Sequence, residues 1–164
     1  KKTYFPAEVL PLSSIPIAFV NTMVASVALV ILFSILLYKV SITALYVIPL
    51  VIIAILSATG IGLIISAVNA ILRDVSFIVP FLMQAWMFAS PVMYSENAVP
   101  EKYRWIYLNL NPAAYVISGA RKCLLHHEAI PIPNLASAFC LSLCLLFFGY
   151  IIFKTLEPKF RDLL

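Results

Sequence analysis

Apolar residues in this chain come in long blocks that few charges interrupt. Four stretches carry no charged residue: Val9–Tyr38, Val40–Leu72, Val75–Ser95 and Ala129–Phe153, of 30, 33, 21 and 25 residues respectively. A helix that crosses a bilayer needs roughly 20 mostly apolar residues, because each advances it about 1.5 Å through a hydrocarbon core about 30 Å thick. All four stretches are long enough. One alone suits a buried core helix, but four within 164 residues leave too little polar surface for a water-soluble fold. The pattern therefore predicts an all-α fold, a polytopic membrane helical bundle of about four transmembrane helices. Their expected spans are Ile15–Tyr38, Ala44–Leu72, Val75–Tyr94 and Leu135–Phe153.

The second and third blocks are separated by Arg73 and Asp74 alone. An arginine or aspartate at the centre of a membrane helix costs about 2.5–3.5 kcal/mol on insertion scales. Both charges avoid most of that cost at the membrane surface, so "LRDV" reads as a tight connection between two spans. Four crossings put both termini and Arg73–Asp74 on one side. Lysine and arginine favour the cytoplasm in short loops. The inner set would be Lys1, Lys2, Arg73, Lys154, Lys159 and Arg161, against Lys39, Lys102, Arg104, Arg121 and Lys122 outside. Six against five, with both ends of the chain basic, assigns the termini to the cytoplasm.

Within the second block Ala54, Ala58, Gly62, Ser66 and Ala70 recur every four residues. Small side chains at that spacing let helix backbones approach closely. This predicts packing within the bundle, or a subunit interface or moving seam. Gly60 beside the row is a candidate bend. In the first block Ala18, Thr22 and Ser26 repeat the pattern, with Ser14 as a candidate cap and Pro16 in the first turn. The third block holds Pro80, Gln84, Trp86, Ser90 and Pro91. Tryptophan usually sits at the membrane–water interface, yet Gln84 and Trp86 fall near mid-span. A mid-membrane amide there marks a surface facing protein or a pathway, or a hydrogen bond from Gln84 to a neighbouring helix. Pro80 and Pro91 are expected to bend this helix.

Residues 94–134 form the longest segment containing polar residues. Tyr94, Tyr103, Trp105, Tyr107 and Tyr115 suit a headgroup-level layer. Asn109, Asn111 and Pro112 interrupt "RWIYLNLNPAAYVISGARKCLL", and Arg121–Lys122 ends it. Two short helices forming an external re-entrant or interfacial hairpin are expected; the alternative makes 105–125 a fifth crossing.

Composition narrows the chemistry. The chain is 63% hydrophobic and 11% charged, where soluble domains carry about 25% charged residues. Its net charge of +4 is spread over both faces and points to no nucleic acid. Cys123, Cys140 and Cys144 leave at least one thiol unpaired. Cys123 with His126, His127 and Glu128 is the one cluster resembling a metal or enzymatic seed. However, the paired-cysteine and H-E-x-x-H patterns are missing, and three successive residues cannot share one helical face. No metal and no catalytic residue is expected. Glycines 60, 62, 119 and 149 make no phosphate-binding loop, and no paired carboxylates occupy a span. The chain offers a path without a source of energy.

Three strings run through the chain in order: "KKTYFPAEVLPLSSIP", then "GLIISAVNAILRDVSFIVPFLMQAWMFASPVMYSENAVPEKYRWIYLNLNPAAYVISGARKCLL", then "LEPKFRDLL". Together they resemble the permease subunits of ATP-binding-cassette (ABC) transporters of the type 2 exporter family, in the branch exporting lipid-linked polysaccharides such as O-antigen, teichoic acid and capsule precursors. The most specific stretch runs from Arg73–Asp74 through Val79–Pro80 and Ser90–Pro91 to Pro100–Glu101 and Asn111–Pro112. The resemblance implies a single permease domain over residues 1–164 in the bacterial cytoplasmic membrane. It implies a second permease copy as homodimer partner, and a nucleotide-binding ATPase subunit that binds the ATP, so no cofactor is expected in this chain. Lipid-linked glycan would be the cargo, with membrane lipid around it. Family members have six spans after an amphipathic helix, so the chain is expected to be a fragment holding the last four. Export of a drug or other hydrophobic small molecule, or a passive channel or scaffold, are the alternatives.

Residue roles follow from the same resemblance. Tyr4, Phe5, Pro6 and Glu8 match the cytoplasmic stretch near the ATPase, and Arg73 and Asp74 the connection that couples to it. Gln84, Trp86, Phe88 and Tyr94 match the helix lining the translocation path. Tyr103, Trp105, Asn109 and Pro112 match the external re-entrant helices, and Glu157, Phe160, Arg161 and Asp162 the cytoplasmic tail.

Overall fold

The computed structural model describes residues 13–37, 42–72 and 74–161. The expected coupling residues Tyr4, Phe5, Pro6, Glu8 and Arg73, with Asp162 of the tail, lie outside them. Every regular element among the described residues is helical, as the sequence pattern requires. Helix α1 runs over Ser14–Leu37, with Ser13 rather than Ser14 at its cap position. A short 3-10 turn, Ile42–Tyr46, leads into α2, Val47–Ile71. Helix α3 covers Val75–Phe88. Two ten-residue helices follow, α4 over Glu101–Leu110 and α5 over Pro112–Arg121. A π-helical turn, Lys122–His126, then leads towards α6, Ile132–Arg161.

Two of these stretches, Ile42–Ile71 and Ile132–Lys159, are long and apolar enough to cross a membrane by themselves. They form the spine of the bundle. Gly60 of α2 and Gly149 of α6 bring the two backbones into contact: a Cβ added to Gly60 would fall 2.5 Å from the Leu145 carbonyl oxygen, and one on Gly149 would meet the Gly60 carbonyl. Gly60 therefore serves a close crossing, where the sequence pattern suggested a bend. The buried row of α2 is Ile53, Ser57, Gly60, Leu63 and Ala67. This corrects the expected packing of the small-residue row within the bundle: Ala58, Gly62 and Ala70 are exposed, and Ala54 and Ser66 are half-buried. A spacing of four drifts about 40° per step round a helix, so mixed steps of three and four keep to the buried face better. Below the crossing, Leu63, Ala67 and Phe153 form one core cluster, with Ile71, Leu146 and Leu156 packed against it.

Helix α3 ends at Phe88, six residues before the expected Tyr94. Its 14 residues rise about 21 Å, less than the roughly 30 Å of the hydrocarbon core. The Ser90–Pro91 step explains the early stop. Proline supplies no N–H and its ring disfavours helical backbone at the residue before it.

At the other end of α2 the expected hairpin is present. A break at Asn111, with φ −109° and ψ 98°, separates α4 from α5. Each helix is only about 15 Å long, too short to cross the hydrocarbon core by itself. Leu50 of α2, Cys123 and Ile130 are buried together, with Tyr115 and Leu135 alongside. The Thr43 hydroxyl donates to the Cys123 carbonyl at 2.9 Å. The hairpin thus closes the end of the bundle opposite Asp74.

Candidate functional site at the hairpin end

Asn111 is the hub of this end. Its Oδ1 accepts from the backbone N–H groups of Ala113 at 3.1 Å and Ala114 at 3.2 Å, capping α5. Pro112 occupies the first helical position, where its missing N–H costs nothing. The same Oδ1 accepts from Trp86 Nε1 at 3.2 Å. Its Nδ2 donates to the Ala89 carbonyl at 3.0 Å and to Ser90 Oγ at 3.1 Å. One side chain therefore ties the end of α3 to the start of α5.

Arg121 makes a second tie. Its guanidinium donates to the Pro91 carbonyl at 2.9 Å and the Tyr94 carbonyl at 3.1 Å. Those carbonyls belong to the irregular turn after α3, so the contacts satisfy groups that a continued helix would have used internally. Tyr94 Oη shares a 2.8 Å hydrogen bond with Tyr107 Oη and also donates to the Phe88 carbonyl at 3.1 Å. Burial, then the bond to Tyr94, pushes the Tyr107 hydroxyl well above its ordinary range.

Glu96 and Lys122 form an ion pair of 2.7 Å. Burial acts to raise the Glu96 pKa. The hydrogen bond and charge of Lys122, with smaller help from Ser118 and the Arg104 charge, outweigh it and hold the carboxyl below its ordinary value. Ser118 lies close enough to contribute but completes no hydrogen bond.

Helix α5 has two faces. Ala113 and Ile117 point into an apolar groove of about 460 Å³, whose other walls include Ala58 and Gly62 of α2 and Met83 and Trp86 of α3. The small residues of the α2 row thus line a groove. Ser118, Arg121 and Lys122 turn to a separate polar cavity. The turn of about 100° from Ile117 to Ser118 separates these faces.

The structure brings together some of the residues expected along the path. Trp86 borders the groove, and Phe88 and Tyr94 are joined through the Phe88 carbonyl. Pro112 is buried at the start of α5 and also lines the groove. Gln84 is exposed and makes no hydrogen bond to a neighbouring helix among the described residues. Tyr103 and Trp105 are exposed on α4, with Lys102 over the Tyr103 ring at 5.6 Å. Asn109 donates to the Trp105 carbonyl of its own helix. Asp74 is exposed at the start of α3 without a side-chain capping bond. At that end Glu157 is buried and accepts from Lys154 at 3.0 Å. Cys123 is buried, and burial raises its thiol pKa. His126, His127 and Glu128 are exposed, and Cys140 and Cys144 lie exposed on α6.

Asn111, Arg121, Glu96 and Ser118 were not among the residues singled out for function. For Asn111 a signal existed: Asn–Pro before an apolar stretch is a helix start. The partners of Arg121 lie 27 and 30 residues away, and no local pattern announces them.

Long apolar helices around a glycine crossing, two of them long and apolar enough to cross a membrane, with a short two-helix pair at one end and an apolar groove between α2, α3 and α5, are the architecture of an all-α membrane helical protein. Residues 1–125 match the ABC-2 type transporter family, and the chain belongs to it. It is 28% identical over 172 residues to the O-antigen export system permease protein RfbA of Klebsiella pneumoniae, covering 100% of this chain and 63% of that protein. The RfbA protein of Myxococcus xanthus is 27% identical, with 98% and 62% covered. The polysialic acid transport protein KpsM of Escherichia coli is 28% identical over 106 residues, 63% of this chain and 40% of that protein. The chain thus spans a little under two thirds of the length of its RfbA relatives.

Proposed function

We propose that this chain belongs to the permease subunit of an ABC exporter that moves lipid-linked polysaccharide of the O-antigen, teichoic acid or capsule type across the cytoplasmic membrane. A separate ATPase subunit binds and hydrolyses the ATP, and a second permease copy completes the path. The chain contributes no catalytic residue.

The two faces of α5 support this most directly. A lipid-linked glycan is an amphiphile, and this helix sets an apolar groove on one side and a polar cavity on the other. The groove suits an acyl or isoprenoid chain because it offers dispersion contacts and few hydrogen-bonding groups. The exposed rings of Trp86, which borders it, and of Phe88 at the end of α3 suit stacking against sugar rings without tight binding. The O-antigen export and polysialic acid transport named for the RfbA and KpsM relatives support a polysaccharide cargo.

Under this proposal Asp74 and Arg73 lie on the cytoplasmic side, facing the ATPase, and the hairpin lies outside. ATP-driven closure of the ATPase pair pushes on the connection between α2 and α3. The push travels along α3 to the Asn111 hub and shifts the hairpin. The full-length permease and its neighbouring ATPase, reconstituted in lipid vesicles, are expected to carry lipid-linked glycan across the bilayer only with ATP. Transport of a hydrophobic dye with no glycan movement would replace this reading with small-molecule export. Failure to co-purify any ATPase would favour a channel or scaffold.

A further inference from the structure

Helix α3 carries no buried residue, yet Ser90 and Pro91 just beyond it are fully buried. The helix is therefore held to the bundle at its hairpin end rather than along its length. The irregular segment 89–95 joins that end to the hairpin. A segment outside any regular helix has few hydrogen bonds of its own and yields readily. A displacement arriving along α3 would be absorbed there unless side chains brace it.

Two side chains do so. Asn111 holds the near part, donating to the Ala89 carbonyl and to Ser90 Oγ. Arg121 reaches the far part: Nη2 donates to the Pro91 carbonyl at 2.9 Å and Nη1 to the Tyr94 carbonyl at 3.1 Å. The support behind Arg121 is firm. It ends α5, whose Ala114, Ser118 and Gly119 are buried, and a Cβ added to Gly119 would lie 3.1 Å from the Leu50 side chain of α2. Glu96 lines the same cavity as Arg121 but pairs with Lys122 at 2.7 Å, so the guanidinium serves the carbonyls. Its planar fork fixes two acceptors at once, which a lysine ammonium on a flexible stem does not.

We propose that Arg121 is a positioning residue for export: by bridging the Pro91 and Tyr94 carbonyls to α5 it stiffens the segment after α3, so that displacement of α3 reaches the hairpin. The part played in export rests on the export reading above; the bracing itself does not. Without the bridge the ATPase still turns over and α3 still moves, but the segment gives way and the path stays shut.

The test uses the full-length permease with its ATPase in lipid vesicles. Arg121→Lys, Arg121→Met and Arg121→Ala are compared with the unmodified complex for membrane abundance, ATP hydrolysis and glycan exported. Each is expected to keep hydrolysis within about twofold while glycan exported per ATP falls about fivefold or more, the lower end of a typical coupling between sites. Amide hydrogen exchange over residues 92–99 should quicken in all three. Guanidinium chloride, far below denaturing concentrations, is expected to restore export and slow exchange in Arg121→Ala, because the free ion refills the bridge. It should do neither in Arg121→Met, whose side chain fills the space. An unchanged ratio of export to hydrolysis overturns the proposal. So does loss of all three variants from the membrane, which reduces Arg121 to a folding role. If the unmodified complex exports no glycan, the export reading fails and exchange alone decides: quickening upholds the bracing, and unchanged exchange overturns it. Export by the unmodified complex with unchanged exchange in the variants removes the bracing and leaves the export reading standing.

Discussion

A single amide at position 111 makes five hydrogen bonds, to Trp86, Ala89, Ser90 and the first turn of α5. Truncation to Asn111→Ala removes a cap worth about 1 kcal/mol and leaves the Trp86 and Ala89 groups unpaired, so about 1–3 kcal/mol of stability should be lost. Asn111→Asp keeps the Oδ1 acceptor and loses the Nδ2 donor, so it should fall between the two. Thermal unfolding in detergent measures this order; equal loss in both variants would deny the cap a separate share. Glu96 carries a second residue-scale prediction. Its carboxyl is held below the ordinary 4.5 in the folded chain. Such a group stabilises the fold above its unfolded value, and that contribution disappears as pH falls through the lowered folded value. Stability of the hairpin should therefore drop below about pH 4.5, and Lys122→Met should flatten that drop. Hydrogen exchange at the hairpin amides across this pH range reads the effect.

Among the elements, α2 and α6 depend on two glycines whose backbones touch. Gly149→Leu has no room, because even a Cβ meets the Gly60 carbonyl. It should force the helices apart and cost about 1–3 kcal/mol or more, as overpacking does. Gly62→Ala is the contrast: no atom lies within 4 Å of its added Cβ, so little change is expected. Expression and unfolding of the pair in detergent check this. Much at this scale was legible. The blocks of uncharged residues marked α1, α2 and α6, and Asn111–Pro112 marked the break in the hairpin. The end of α3 was misplaced because the uncharged run continues to Ser95 and suggests only a bend at Pro91, whereas Pro91 stops the helix at Phe88. The packing row of α2 was also misplaced, because small residues recur on more than one of its faces and only the partner helix selects among them.

For the whole molecule, the decisive feature is the separation of Asp74 from the hairpin by the length of α2. If the cytoplasmic ATPase pushes at the Arg73–Asp74 connection, its effect must cross the membrane through α2 and α3. Arg73→Ala should then lower export and transport-coupled ATP hydrolysis several-fold more than it lowers the amount of permease in the membrane. Equal loss of both would reduce Arg73 to a folding role. Cysteines introduced at position 73 and at exposed Trp105 should label from opposite faces of intact cells. Labelling of both from one face would remove the proposed arrangement of motor and exit.

By itself the sequence determined that the chain lives in a bilayer, where α1, α2 and α6 lie and where the break at Asn111 falls. Those properties follow from local rules: apolar length against membrane thickness, the expense of burying charge, and the backbone limits of proline. Only the tertiary structure decided which glycines touch, which face of α5 is apolar and which polar, and that Arg121 and Asn111 fasten the turn after α3. Each of these joins residues far apart in the chain, and the energy of such a contact depends on a partner that no local pattern names.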